Sequence, residues 1–255
     1  MRERAMGELS SPASTEPADR QAGTGDGPHT LAIDIGGTGL KMIVLDAAGT
    51  PVSERDREKT PRPATPAAVV EMLATQIGRQ PEFSRISVGF PGVIVDGVVQ
   101  TAPNLDGDWT GFPLATELAR VAGRPVRAAN DADVQGLGDI EGVGVELVLT
   151  LGTGLGSALF VDGRLVPNLE LAHHPFKGER TYEDYLGKAA LEDIGKKRWR
   201  KRVHKVLSVI APIWNPRRIY LGGGNAKLLR DEDLPENVAL CPNSAGLTGG
   251  LALWR

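Results

Sequence analysis

Residues 1–28 carry almost no periodic apolar positions and are rich in Ser, Pro, Ala, Gly and charge. Such a stretch cannot offset the entropy of ordering, so it reads as a disordered tail. Patterned sequence begins at Leu31. Leu31–Ile35 and Leu40–Leu45 read as buried strands around the turn Gly36-Gly37-Thr38-Gly39. Val52–Lys59 reads as a third, exposed strand. Thr65–Ile77 has helical spacing, with Thr65 as N-cap and Pro66 at the first helical position. Ile86–Phe90 is a short apolar strand, and Asp96-Gly97 between two valine-rich runs is a hairpin signal. Phe112–Ala122 reads as a helix stopped by Gly123. Pro125–Ala129 is a strand that runs into Asn130-Asp131-Ala132-Asp133, where another helix starts.

The pattern then restarts. Glu146–Leu151 and Ser157–Val161 flank a second glycine turn, Gly152 to Gly156, and Asp162-Gly163 marks the next hairpin. Ala189–Ile210 reads as one long helix with apolar residues on one side and basic residues on the other. Arg218–Leu221 is a strand followed by Gly222-Gly223-Gly224. A strand near Val238–Leu240 and a helix over Ser244–Leu253 close the chain. The two strand–turn–strand units lie about 117 residues apart and look like a degenerate internal repeat. They predict an α/β protein of two similar lobes, each presenting a glycine turn to a shared cleft. The first lobe would span 29–129 and be joined by a C-terminal helix over 244–255. The second would span 130–243 and carry the basic helix, about 189–211.

Composition narrows the choice. Of the 255 residues, 41% are hydrophobic and 24% charged, which is ordinary for a globular protein. No apolar run is long enough for a membrane span, and no apolar leader is seen, so neither a membrane partner nor secretion is expected. Cys241 is the only cysteine. It can form neither an internal disulfide nor a Cys-rich zinc site, and a cytoplasmic location is expected. The formal charge of -3 hides an asymmetry: Lys196 to Arg218 holds nine Lys or Arg and no Asp or Glu. Such a patch attracts polyanions, although a solvated helix face is the plainer reading. Trp199 alone interrupts it with an aromatic ring, so a nucleic-acid partner is not expected.

Five motifs carry candidate chemistry. The turn after Asp34 can bring backbone N–H groups and the Thr38 hydroxyl to an anion. It joins two strands, unlike a P-loop or a dinucleotide fingerprint, which lead into a helix. Leu151-Gly152-Thr153-Gly154-Leu155-Gly156 repeats that logic, and two such turns would grip a phosphate chain between lobes. Asp131, where a strand meets a helix, is placed to accept a proton from a substrate hydroxyl; the plain alternative is a helix cap. Pro103-Asn104-Leu105 and Glu170-Leu171-Ala172-His173 set polar groups in apolar surroundings, as sugar binding requires and as ordinary turns also do.

Taken in order, these motifs with Gly222-Gly223-Gly224 and Ala245-Gly246-Leu247-x-Gly249 resemble the ROK family of sugar kinases and repressors. The resemblance runs from Leu31 to the end of the chain. It implies an actin-like, duplicated ribonuclease-H-type fold. It implies Asp131 as general base for a sugar 6-hydroxyl, with Asn104, Asn130, Glu170 and His173 on the hexose and Glu183 as a further contact. Asp34, Gly36, Gly37, Thr38, Gly39, Lys41, Thr153, Gly154, Gly156, Gly223 and Gly224 would hold the phosphate donor, and Asp34 would order Mg²⁺ indirectly. Thr150 to Gly163, Leu165 to Asn168 and Lys197-Arg198-Trp199 are most similar to the branch that phosphorylates glucose from inorganic polyphosphate. Lys197, Arg198, Arg200 and Lys201 would then hold the polyphosphate chain. Zinc is not expected: ATP-dependent relatives usually carry a Cys-rich motif just after the histidine, and this chain has no cysteine there. The family also implies a homodimer. Ala172 departs from the family pattern, which has glycine before the histidine, and His174 leaves the register of the histidine open. ATP as donor, another hexose as acceptor, a non-catalytic sugar sensor and a simple polyanion binder stand as alternatives.

Overall fold

The computed structural model describes residues 27–241 and 245–255. Most of the expected tail, residues 1–26, therefore lies outside the described residues, as does Ser244 at the start of the expected last helix. Strands β1 (Thr30–Ile35), β2 (Leu40–Leu45), β3 (Asp56–Glu58) and β4 (Arg85–Phe90) belong to one sheet. The expected third strand shrinks to those three residues of β3. Helix α1 (Pro66–Ile77) starts at Thr65, whose hydroxyl accepts the Ala68 N–H. A small hairpin of β5 (Ile94–Val95) and β6 (Val98–Val99) turns at Asp96 and Gly97, with φ of 51° and 78°. Helix α2 (Leu114–Ala122) ends on left-handed Gly123, and β7 (Val126–Asn130) completes the sheet.

Helix α3 (Asp131–Asp139) leads to the second sheet, built from β8 (Val145–Leu151), β9 (Leu155–Val161) and β10 (Arg164–Val166). A β11–β12 hairpin (Pro175–Lys177, Arg180–Thr181), α4 (Tyr182–Leu186) and α5 (Lys188–Trp214) follow, then β13 (Arg218–Gly222) and β14 (Val238–Leu240). Helix α5 is not the single rod the periodicity predicts. Gly195 breaks it at φ 74°, ψ 161°, a conformation that glycine adopts without penalty. The chain ends in α6 (Ala245–Thr248) and a 3₁₀ segment, Gly249–Trp254, in place of one α-helix.

The two sheets share one topology. Strand order is β3-β2-β1-β4-β7 in the first and β10-β9-β8-β13-β14 in the second. In each, the first three strands are antiparallel and the next two join in parallel. This is the duplication that the repeated glycine turns announce. Central strands are buried on both faces, so they read as continuous apolar runs. Leu31, Ile33, Phe90 and Trp109 anchor one core. Leu147, Leu149, Trp199, Val203 and Ile210 anchor the other. Trp199 is fully buried and its indole N–H donates to the Leu186 carbonyl at 2.7 Å.

The C-terminal segment returns to the first sheet, where Leu247 and Leu251 pack on Ala32, Ile43 and Leu45. Gly249 sits against α3 so closely that a Cβ would lie 1.8 Å from the Val134 carbonyl. Trp254 is stacked by Arg85 and Arg127, at 5.2 and 4.7 Å, and donates to Ser87. Helix α3 is thus braced by the chain end. No helix among the described residues is long and apolar enough to cross a membrane.

Candidate active site

The first glycine turn joins β1 to β2 and closes on itself, Gly36 N–H to Gly39 O at 3.0 Å. Its carbonyls are held from behind. Thr60 donates its hydroxyl to Gly36 O at 2.6 Å, and Arg62 donates to Gly37 O at 2.7 Å. Among the described residues the N–H groups of Gly37 and Thr38 have no partner, which leaves them available to an anion. Asp34 and Lys41 face each other across the two strands and pair at 2.7 Å. Gly37 lies against Asn104, so the turn touches the Pro103-Asn104-Leu105 loop. Arg62 ties the two further by pairing with Asp106 at 2.9 Å.

The second turn joins β8 to β9 and closes with Gly152 N–H to Gly154 O at 3.1 Å. Its anchors differ. The Lys188 N–H donates to Thr153 O and the Asn225 amide to Gly152 O. Glu183 accepts the Leu155 N–H at 3.1 Å. A Cβ on Gly154 would lie 2.0 Å from the Glu183 carboxylate, so a larger residue would push Glu183 off the turn. Glu183 thus braces this turn. Gly156 continues the turn into β9 against Thr150 and Ala132. Gly223 and Gly224 follow β13, and Gly223 lies against the Leu151 backbone at the base of the same turn.

Asp131 opens α3, between the turns. Asn130 is the N-cap: its carbonyl oxygen accepts the Ala132 N–H at 2.8 Å and its amide donates to Gly92 O at 3.1 Å. Both ends of Asn130 are thus occupied by the chain, and the plain reading of it as a cap is realised. Asp131 is open to water on one side but lies deep in the protein. That enclosure, with the negative charges of Asp34 and Glu170, pushes its carboxyl up to about 7.

Glu170 and His173 line a cavity of about 450 Å³, opposite Gln100, Thr101, Pro103 and Asp108. His173 Nε2 lies 3.7 Å from a Glu170 carboxylate oxygen. His174 turns away and its Nδ1 lies 3.1 Å from the Pro175 carbonyl, so the register favours His173. The Ala172 methyl is buried in the second core and does not narrow the cavity. Ser157 holds the segment bearing Glu170 from both sides, donating to Leu169 O at 2.5 Å and accepting the Leu171 N–H at 3.2 Å.

Sequence reasoning missed Thr60, Arg62, Ser157 and Asn225, which anchor the site's loops, and Gln100, Thr101 and Asp108 in the cavity wall. Each is an ordinary polar residue in a turn or strand, and only the tertiary fold gives it a partner. On α5, Lys196, Lys197, Arg198, Lys201 and Lys205 are exposed and, among the described residues, have no ion-pair partner. Arg200 does not stand with them: its Nε donates to Leu228 O at 2.6 Å.

The sequence matches the model of the ROK family over residues 30–169. This chain belongs to the ROK family. Polyphosphate glucokinase of Mycobacterium tuberculosis is 33% identical over 87% of this chain and 89% of its own length. The Mycobacterium leprae protein of the same name is 31% identical over 92% of this chain and 77% of its own. Among solved structures, the inorganic polyphosphate/ATP-glucomannokinase of Arthrobacter sp. strain KM is 34% identical. It aligns with a TM-score of 0.80 over 89% of this chain and all of that one. A ROK glucokinase from Streptomyces griseus, solved with glucose and AMPPNP, aligns with a TM-score of 0.72 at 21% identity over 88% of this chain and 98% of its own. The fold is therefore the two-lobed, actin-like fold of ROK sugar kinases.

Proposed function

We propose that this protein transfers the terminal phosphoryl group of inorganic polyphosphate, or of ATP, to the 6-hydroxyl of glucose. The observation that carries this is the placement of Asp131 at the start of α3, beside Asp34 and Glu170 and next to the two glycine turns. A base poised near the working pH is what proton removal from an attacking hydroxyl needs. The 6-hydroxyl oxygen forms a bond to the terminal phosphorus as the bridging P–O bond breaks. The proton goes to Asp131 and the electron pair leaves with the shortened donor. Glu170 and His173 hold sugar hydroxyls from one wall, and Asn104 from the loop that touches Gly37. The turns at Gly37–Gly39 and Thr153–Gly156, with Gly223 and Gly224, hold donor phosphates through backbone N–H groups.

The carboxylates fit Mg²⁺. Asp34 and Asp131 are close enough for like-charge repulsion, and Mg²⁺ takes one or two carboxylates together with phosphates and waters. Asp34 would hold it, directly or through water, and when bound it neutralises charge on the transferring phosphoryl group. The donor assignment rests on the named relatives and on the unpaired cations Lys197, Arg198 and Lys201, which offer a polyphosphate chain a surface. A cytoplasmic homodimer follows from the family resemblance.

The test is glucose 6-phosphate formation by purified protein with glucose, Mg²⁺ and a single donor. Product with polyphosphate supports the full reading. Product with ATP alone keeps the sugar kinase and removes the role of α5. No product with either, for glucose or mannose, overturns the reading.

A further inference from the structure

One row of side chains on the first sheet carries charges that do not balance. The strand register sets Gly89 of β4, Asp34 of β1, Lys41 of β2 and Arg57 of β3 side by side. Cross-strand partners share a face of the sheet, so Asp34, Lys41 and Arg57 stand on one side. Asp131 lies over the same row: a Cβ on Gly89 would sit 3.6 Å from the Asp131 Cα. The row thus runs from beneath Asp131 to the edge strand, three strand spacings or about 14 Å. Asp34 pairs with Lys41 at 2.7 Å. Arg57 comes next and has no counter-charge. Its chain neighbours Asp56 and Glu58 point to the other face, where both pair with Arg79. Arg57 is exposed, and among the described residues its side chain makes no ion pair or hydrogen bond. Like charges directly opposite each other on adjacent strands repel, so Lys41 and Arg57 together call for an anion beyond Asp34. The guanidinium leans against the first glycine turn: a Cβ on Gly39 would lie 3.5 Å from Arg57 Nε. This is the turn whose Gly37 and Thr38 N–H groups are unmet among the described residues.

We propose that Arg57 is a further donor-binding residue: its guanidinium, with the Gly37 and Thr38 N–H groups, holds a phosphate of the donor at the first turn. The ligand chemistry is a phosphoanhydride chain, which polyphosphate and ATP share. Lys41 cannot supply this charge alone, because Asp34 engages it. The fork of an arginine can meet two phosphate oxygens at once. Arg57 acts on the donor and has no part in holding the sugar. The proposal rests on the donor role given above to the first turn, but its binding test needs no turnover.

Binding of inorganic tripolyphosphate to the full chain should be measured by calorimetry, with Mg²⁺ and without sugar, for wild type, Arg57→Gln and Arg57→Lys. Arg57→Gln is expected to weaken binding about tenfold, and Arg57→Lys, which keeps the charge without the fork, to recover part of that loss. KM for polyphosphate and KM for ATP should both rise by about the same factor in Arg57→Gln, with glucose KM unmoved. The melting temperature of Arg57→Gln without ligands should equal or exceed that of wild type, since the repulsion with Lys41 is relieved. Unchanged tripolyphosphate binding in Arg57→Gln overturns the proposal, and so does a wild type that does not bind tripolyphosphate. A lowered melting temperature with glucose KM raised alongside donor KM also overturns it, because Arg57 would then only support the fold. A protein that binds tripolyphosphate through Arg57 but makes no sugar phosphate overturns the reaction and leaves this proposal standing.

Discussion

The two halves of the molecule share a topology and differ in how they hold their glycine turns. In the first, charged side chains do the holding: Lys41 on Asp34, and Arg62 on both Gly37 and Asp106. In the second, backbone and amide groups hold the turn, with Glu183 as the one carboxylate. The halves also differ after their third strand. Between β3 and β4 the first inserts a single helix, α1. Between β10 and β13 the second inserts a segment roughly twice as long, which holds Glu170, His173, α4 and α5. A duplicated fold has thus been specialised by its connections. One half carries the Asp34–Lys41 pair and most of the cavity wall, and the other carries Glu170, His173 and a cationic surface.

The sharpest way to break this division is at Asp131, where the halves meet. Asp131→Asn should lower kcat by about 10²–10⁴-fold while glucose binding, followed by calorimetry, changes little. Comparable turnover would remove the base from the account. Next, Trp199→Ala should destabilise the second core by about 3–5 kcal/mol in denaturant unfolding, because the indole is fully buried and hydrogen-bonded. That loss should be the same with and without donor, since Trp199 is distant in role from the turns. Glu183→Ala, which releases the Leu155 N–H, should raise donor KM about tenfold and leave glucose KM in place. A change in glucose KM alone would place Glu183 in the sugar pocket.

The smallest expected effects lie on the surface. Lys197→Glu with Lys201→Glu should weaken polyphosphate binding several-fold, an effect that fades as salt is raised, with ATP kinetics unmoved. Equal loss for both donors would place these cations at the shared phosphate site. Thermal stability offers a related check on Asp131. A carboxyl whose folded value is raised from about 4 to about 7 stabilises the fold least when both states are ionised. Asp131→Asn should therefore melt higher than wild type, by a margin that grows from about pH 4 to about pH 7 and then levels.

Much of this architecture is legible in the chain. The two glycine turns, the Asp96-Gly97 and Asp162-Gly163 hairpins and the Thr65 cap are local signals, and local signals survive into the fold. The break at Gly195 was not legible, because glycine inside a helical pattern is tolerated as often as it interrupts. The short β3 and the 3₁₀ chain end escaped for a different reason: their limits are set by what they pack against. At the site, the position after a strand is enough to place Asn130 and Asp131 at a helix start, and the role proposed for Asp131 comes from the family resemblance. Arg62, Ser157 and Asn225 could not be picked, since each gains its meaning from a backbone group far along the chain. Glu183 and Arg200 show the converse. A charged residue near a site is as readily a brace for a turn or helix as a ligand.

The central claim is that Asp131 removes the proton from the attacking hydroxyl at a carboxyl tuned to about 7. Its most direct test is the pH dependence of kcat/KM for glucose between pH 5 and 9, with saturating polyphosphate and Mg²⁺. The ionised carboxylate is the active form, so kcat/KM should fall about tenfold per pH unit below a limb near 7 and level above it. A profile flat down to pH 5, or one that Asp131→Asn reproduces at the wild-type rate, would contradict it.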